Sequence, residues 1–464
     1  MLTKKISLIS LGLLIVGAIA SIRNFPSTAI FGSSLIFFLI FAAIIFLIPI
    51  ALVSAELSAS FPDEGGVYHW VRRAFGEQWA MLAIWLQWIN TMIWYPTILS
   101  FIGGTAAYLI DPALAQNKVY LISSILVIVW ILTLMSIFGI QLSSRINDIC
   151  ASIGTVFPML LLIGLGFYWV LSGRPLQIRL DAASAIPALT QSSNWVSLVA
   201  IMASFLGMEL SGVHVSDIRN PQRNFPRAVL YAAAFILFVM MFGSLSIALV
   251  VPVQDIQLVS GVMQVFTEFF TAFGLEWCIK PLTVLIVIGA FGGIINWLIS
   301  PARGLLHAGE FGFLPPIVAR KNRYGVSPSI LIAQAVVISL FCCAFLLLPS
   351  INGFYWFLMA LSTEMYMIMY VLIFLSAFAL RLRIRGPAIF FRIPGGLWGL
   401  GTVVFLGIFA CLATIAVTFL PPDNVDIGSP TTYSLIILIG SVAAILPVFG
   451  FFIYKRLFSS VTVS

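Results

Sequence analysis

The sequence predicts an all-α polytopic membrane protein with 12 transmembrane helices, and three observations carry that prediction. Of 464 residues, 61% are apolar and only 8% charged, with a mean hydropathy of +1.12, whereas a soluble chain needs about 25% charged residues to cover its surface. The apolar residues gather into runs that reach the roughly 20 residues a helix needs to cross a hydrocarbon core. Lys and Arg fall with a strong bias on alternate connecting segments, the signature of a topology set by membrane insertion. A soluble enzyme and a disordered chain are excluded. The net charge of +7 and pI near 9.3 come from basic residues spread singly between apolar runs, so no nucleic-acid partner is expected.

Taken in order, the runs centre on about residues 6–30, 33–58, 78–108, 119–140, 147–171, 194–215, 228–251, 279–302, 328–348, 354–380, 398–420 and 432–454. The first opens with Lys4 and Lys5 and passes Ala18-Ile19-Ala20, which mimics a cleavable signal peptide. Equally apolar runs follow without pause, so the segment is expected to remain as a span. With the amino terminus inside, eighteen Lys and Arg lie on the inner side and only Lys118, Arg174, Arg179 and Lys280 on the outer. Both termini are therefore expected in the cytoplasm, in a multi-pass protein of the cell (inner) membrane. The cysteines Cys150, Cys278, Cys342, Cys343 and Cys411 never take C-x-x-C spacing, so neither a disulfide framework nor a metal site is expected. His69, His214 and His307 show no metal spacing and no nucleophile motif accompanies them; no cofactor and no enzymatic activity are expected. Eight residues follow Arg456, so the activity is expected within the bundle.

The first span contains Ser21-Ile22-Arg23-Asn24-Phe25-Pro26 where the bilayer midplane should lie. Proline removes a backbone donor, and an arginine at mid-span costs roughly 2.5 to 3.5 kcal/mol. Broken backbone survives at that depth only when buried or lining a cavity. The alternative starts the helix after Pro26 and leaves Arg23 at the surface. In the sixth span Gly207-Met208-Glu209-Leu210-Ser211-Gly212 places two glycines around an acid, and this second break follows the first by 186 residues, or five spans. Interruptions at equivalent places in two halves point to a transporter binding site. Half-helix ends there offer N–H groups to a carboxylate and C=O groups to an ammonium, so an amino acid suits the site. Carboxylates at that depth are costly to keep charged, which makes Glu209 and Glu364 proton-coupling candidates. A purely structural carboxylate that caps local backbone remains the other reading of Glu209.

Four segments resemble the amino acid/polyamine/organocation (APC) permease superfamily. They are Pro49-Ile50-Ala51-Leu52-Val53-Ser54-Ala55-Glu56-Leu57 running into Phe61-Pro62-Asp63-Glu64-Gly65-Gly66-Val67-Tyr68, then Asn220-Pro221-Gln222-Arg223-Asn224-Phe225-Pro226-Arg227-Ala228, Ser300-Pro301-Ala302-Arg303-Gly304 and Gly312-Phe313-Leu314-Pro315-Pro316. Within that superfamily His214-Val215-Ser216-Asp217, Ser260-Gly261-Val262-Met263-Gln264-Val265-Phe266-Thr267 and Leu420-Pro421-Pro422-Asp423-Asn424 are similar to the bacterial glutamate/γ-aminobutyrate antiporters.

The resemblance implies the APC fold, a five-plus-five inverted repeat of the LeuT type plus two C-terminal helices. A single transmembrane domain, 1–464, then divides into repeat one at about 6–172, repeat two at about 194–380 and the last two helices at about 398–456. It also implies a midplane site between spans 1, 3, 6, 8 and 10. Carried over, the substrate-binding candidates are Arg23 and Asn24 at the first break, Gly207, Met208, Glu209 and Ser211 at the second, Trp94 and Tyr95 in span 3, Asn296 and Trp297 in span 8, and Tyr366 and Tyr370 in span 10. Where those antiporters carry an acid in span 8 this chain has Gly293, and it has Glu364 in span 10 instead. Their long pH-dependent carboxyl-terminal plug has no counterpart in the eight residues here, so any pH gating is expected from the bundle. Amino acid antiport is the leading expectation and proton-coupled amino acid symport the second; a non-transporting amino acid sensor or scaffold is the third. The expected partners are amino acid or amine substrates and the lipid bilayer, with a homo-oligomer left open.

Overall fold

A computed structural model describes residues 11–12, 15–16, 19–61, 66–138, 152–188, 190, 192–210, 221–309, 312–315, 318, 320–346, 348–383 and 391–458. Among these the chain is helical, with no strand. Among the described residues, helical backbone is present in each of the twelve expected stretches. After a first stretch that ends at Ile19 come α1 (Asn24–Ala29), α2 (Gly32–Ser60), α3 (Val67–Phe75), α4 (Glu77–Ala107), α5 (Lys118–Ile137) and α6 (Phe157–Leu171). Then follow α7 (Ser197–Ser204), α8 (Pro221–Val250), α9 (Gly261–Ala272), α10 (Ile279–Gly309), α11 (Pro328–Cys342), α12 (Ile351–Arg383), α13 (Gly396–Thr418), α14 (Pro430–Ile445) and α15 (Pro447–Phe458). Among the described residues seven helical stretches are long and apolar enough to cross a membrane: α2, α5, α6 with its preceding turn, α8, α12, α13, and α14 joined to α15.

Which faces meet lipid follows from exposure. On α14, Leu435, Leu438, Ile439 and Val442 are at least half exposed, and on α13 Phe405, Phe409 and Leu412 are too. Spacing of three and four residues puts each set on one helical face, and apolar ridges of that size on a water-soluble monomer would be an aggregation hazard. In the interior α12 packs most extensively against α4 and α13, and α10 lies along α4. Helices α4 and α12 thus form the centre: 23 residues of α4 are buried, among them Asn90, Thr91, Thr97 and Ser100, whose side chains find helix carbonyls instead of water.

At one end of the bundle, charged groups tie the helices together. Glu56 of α2 pairs with Arg381 of α12 and also accepts the Ile393 N–H at 2.8 Å. Both side chains are under a tenth exposed. A second tie joins Glu77, at the start of α4, to Arg72 at 2.9 Å and to Lys455 of α15, but here the partners are a quarter to two-fifths exposed. Removing one member of a buried charged hydrogen bond costs about 2 kcal/mol, whereas exposed pairs contribute little. Glu56→Gln is therefore expected to lower the melting temperature in detergent clearly, and Glu77→Gln hardly at all. Equal shifts for the two would refute burial as the deciding factor.

Candidate functional site

The first span is interrupted. Helix ends at Ile19, Ala20 and Ser21 are non-helical, Ile22 and Arg23 form a turn, and α1 restarts at Asn24. The restart is tight, with Asn24 N–H bonded to the Ser21 carbonyl at 3.0 Å and Phe25 N–H to Ile22 at 3.1 Å. The expected break reached Pro26, but the structure closes it at Asn24. Pro26 occupies the third position of α1, where its missing N–H would have had no helical partner. Arg23 is buried, so the alternative that left it at the surface is overturned.

The second interruption follows α7. Phe205, Leu206 and Gly207 form a turn, and Met208, Glu209 and Leu210 make a single tighter turn. Gly207 has φ +104°, a backbone conformation open to glycine and strained for residues with a Cβ. Its N–H, turned out of the helix, donates to the Tyr370 hydroxyl of α12 at 2.9 Å. That hydroxyl donates in turn to Glu209 Oε2 at 2.6 Å, while the Tyr366 hydroxyl donates to Glu209 Oε1 at 2.6 Å. Two tyrosines one turn apart on α12 thereby clamp the broken segment.

Both breaks open onto one cavity of about 130 Å³. At about 30 Å³ per water that is four waters, or one small organic solute. Its wall includes Ala20 to Asn24 from the first break, Leu206 and Gly207 from the second, Asn90 and Trp94 from α4, Ile294 from α10 and Tyr366 from α12. Gly154 and Gly289 close one side, backbone against backbone; a Cβ on either would run into the backbone of the other. Arg23 supplies the positive charge. Its guanidinium lies 4.2 Å over the Trp94 ring and donates from Nη1 to Thr97 Oγ1 at 2.8 Å, yet its buried Nε has no hydrogen-bond partner among the described residues. The Arg23 carbonyl accepts from the Tyr355 hydroxyl at 3.4 Å.

Of the expected binding residues, Arg23, Asn24, Trp94, Gly207 and Tyr366 line this cavity. Glu209 and Tyr370 do not line it but bond to residues that do, Tyr366 and Gly207 respectively. Met208 is fully buried in the turn beside Gly207. Tyr95 turns away: one residue on from Trp94 is 100° around the helix, and its hydroxyl donates to the Ile294 carbonyl at 2.7 Å, tying α4 to α10. Glu364 also faces elsewhere, toward α14, where Ser441 donates to it at 2.7 Å. Ser211 lies outside the described residues, as do the side chains of Asn296 and Trp297, whose backbone belongs to α10.

Asn90 of α4 also lines the cavity and was not anticipated. With Gln87, Trp94 and Thr97 it recurs every three or four residues, a stripe on one face of α4 whose members Asn90 and Trp94 reach the cavity. Asn90 donates to the Ser362 carbonyl at 2.7 Å, and Gln87 to the Tyr366 hydroxyl at 3.4 Å. That period was available in the sequence. Thr155 and Gly154, in the turn that precedes α6, carry no comparable signal.

Among the described residues no group of His, Cys, Asp or Glu could hold a metal ion. An all-helical bundle with lipid-facing ridges, enclosing a polar cavity between two broken helices, defines a membrane transporter. The chain belongs to the amino acid permease family, whose sequence model matches residues 6–442. It is 38% identical over 439 residues, 95% of this chain and 94% of the relative, to an uncharacterized transporter of Legionella pneumophila. It is 27% identical over 459 residues, 97% of this chain and 90% of the relative, to the glutamate/gamma-aminobutyrate antiporter of Lactococcus lactis. The manganese transporter of Eremococcus coleocola shares the fold, with a TM-score of 0.60 at 12% identity over 96% of this chain and 93% of that one.

Proposed function

We propose that the protein is a secondary active amino acid antiporter that works by alternating access in the cell (inner) membrane, with both termini cytoplasmic. It exchanges an external amino acid for an internal amino acid or its decarboxylated amine. The observation that carries this reading is Arg23: a buried guanidinium at a helix break, braced by Trp94 and Thr97, whose Nε has no hydrogen-bond partner among the described residues and can meet a carboxylate. A bidentate guanidinium–carboxylate contact in a dry site gives both energy and orientation. The likeness over nearly the whole chain to a glutamate/gamma-aminobutyrate antiporter supports exchange over simple uptake. The bundle is read as two inverted five-helix halves, at about 6–172 and 194–380, with α13 to α15 appended.

The test is counterflow. Purified protein in liposomes should accumulate labelled glutamate, γ-aminobutyrate or another amino acid only when a partner substrate is loaded inside; equal uptake into unloaded vesicles rejects obligatory exchange. Proton-coupled symport is the second reading, supported by an acid, Glu209, at the second break. Uptake into unloaded vesicles driven by an imposed pH gradient, and abolished by a protonophore, would establish it in place of exchange.

A further inference from the structure

A second and larger cavity, about 680 Å³, opens between the start of α4 and the end of α15, well away from the helix breaks. Its walls combine an aromatic and apolar part, with Trp79, Phe313 and Phe452 prominent, and a polar part of Glu77, Gln78, Lys455 and Arg456, and Trp79 is half exposed at the rim. Its charged lining divides into two. Lys455 pairs with Glu77 and lies 4.0 Å over the Phe313 ring. Arg456, the next residue, also lines the cavity, is exposed, and has no ion pair among the described residues. Among the described lining residues two cations, Lys455 and Arg456, stand with one carboxylate, Glu77, which Arg72 outside the cavity also pairs.

We propose that this cavity holds the headgroup of an anionic phospholipid, its phosphate on Arg456 and its glycerol and first acyl carbons against Trp79 and Phe452. Charge complementarity selects an anion. The walls select a lipid over a free phosphate ion, because inorganic phosphate gains nothing from aromatic surface and would lose hydration against it. Position agrees: tryptophan at the end of a helix, beside basic residues, marks the headgroup level, and basic pockets between helices at that level take acidic headgroups. At about 30 Å³ per water the volume equals some twenty waters, enough for a phosphoglycerol group. The inference does not depend on substrate identity or on which leaflet this end faces.

The experiment is native mass spectrometry of the purified full chain in detergent, titrated with phosphatidylglycerol or with phosphatidylcholine of matched acyl chains. The wild type should retain phosphatidylglycerol in preference. Arg456→Gln should weaken that retention about fivefold, the equivalent of about 1 kcal/mol, without lowering the melting temperature of the lipid-free protein. Arg323→Gln, which removes an exposed cation elsewhere, should leave retention unchanged. Equal retention of the two lipids, an unaltered Arg456→Gln, an equal loss in Arg323→Gln, or displacement of the lipid by inorganic phosphate would each overturn the site.

Discussion

In counterflow, Arg23→Ala is expected to weaken apparent substrate affinity by about thirtyfold or more. Truncating one partner of a desolvated, hydrogen-bonded charge pair costs about 2 to 5 kcal/mol, and each 1.4 kcal/mol is tenfold. The folded protein should tolerate the change better than transport does, since among the described residues the guanidinium is held by the Thr97 hydroxyl, the Trp94 ring and the neighbouring Tyr355, while its Nε has no hydrogen-bond partner there. Arg23→Lys separates charge from shape: it keeps the cation but loses the planar fork, and should still cost about tenfold. An unchanged half-saturation concentration in Arg23→Ala would remove Arg23 from substrate contact and with it the main support for the proposed site.

Glu209→Ala is expected to be as damaging, by a different route. The carboxylate accepts both tyrosine hydroxyls at 2.6 Å, and all three groups are buried. Hydrogen bonds to a charged partner contribute about 1.5 to 3 kcal/mol each, so alanine should cost about 3 to 6 kcal/mol and leave two hydroxyls without acceptors. A large fall in melting temperature, together with loss of transport, is the expected result. Glu209→Gln keeps the shape and one acceptor, and provides the functional test. Combined with Tyr366→Phe it should cost less than the sum of the single changes, because the two share one bond. Strict additivity would contradict the geometry. If Glu209→Gln left pH-driven uptake into unloaded vesicles intact, Glu209 would not be the proton carrier of a symporter.

Much of the architecture was legible because the membrane imposes it. Every run of apolar residues had to be helical to satisfy its own backbone, so reading hydropathy located the helices within a few residues. Pro26, Arg23 and Gly207 revealed the breaks because each is costly in a continuous span. Orientation around a helix was harder to read. Trp94 and Tyr95 were equally plausible as aromatic walls, yet 100° of rotation sends one to the cavity and the other to the Ile294 carbonyl. Glu364 and Tyr366, two residues apart, lie roughly 200° apart on α12, which takes the acid to Ser441 and the phenol to the site. The stripe from Gln87 to Thr97 would have resolved the α4 face, since polar residues repeating at helical spacing in an apolar segment must share a direction. The approach of Gly154 to Gly289 depends on two segments far apart in the chain, and nothing local to either glycine announces it.

The joint between the first span and α1 has a mechanical consequence. Arg23 contributes its guanidinium to the cavity and its own backbone to the joint, and α1 beyond it is only six residues long. A solute that draws the guanidinium off the indole therefore tugs on the pivot of a short lever, with no intervening relay. On the proposed function, loading of the cavity and tilting of α1 are expected to be a single coordinate.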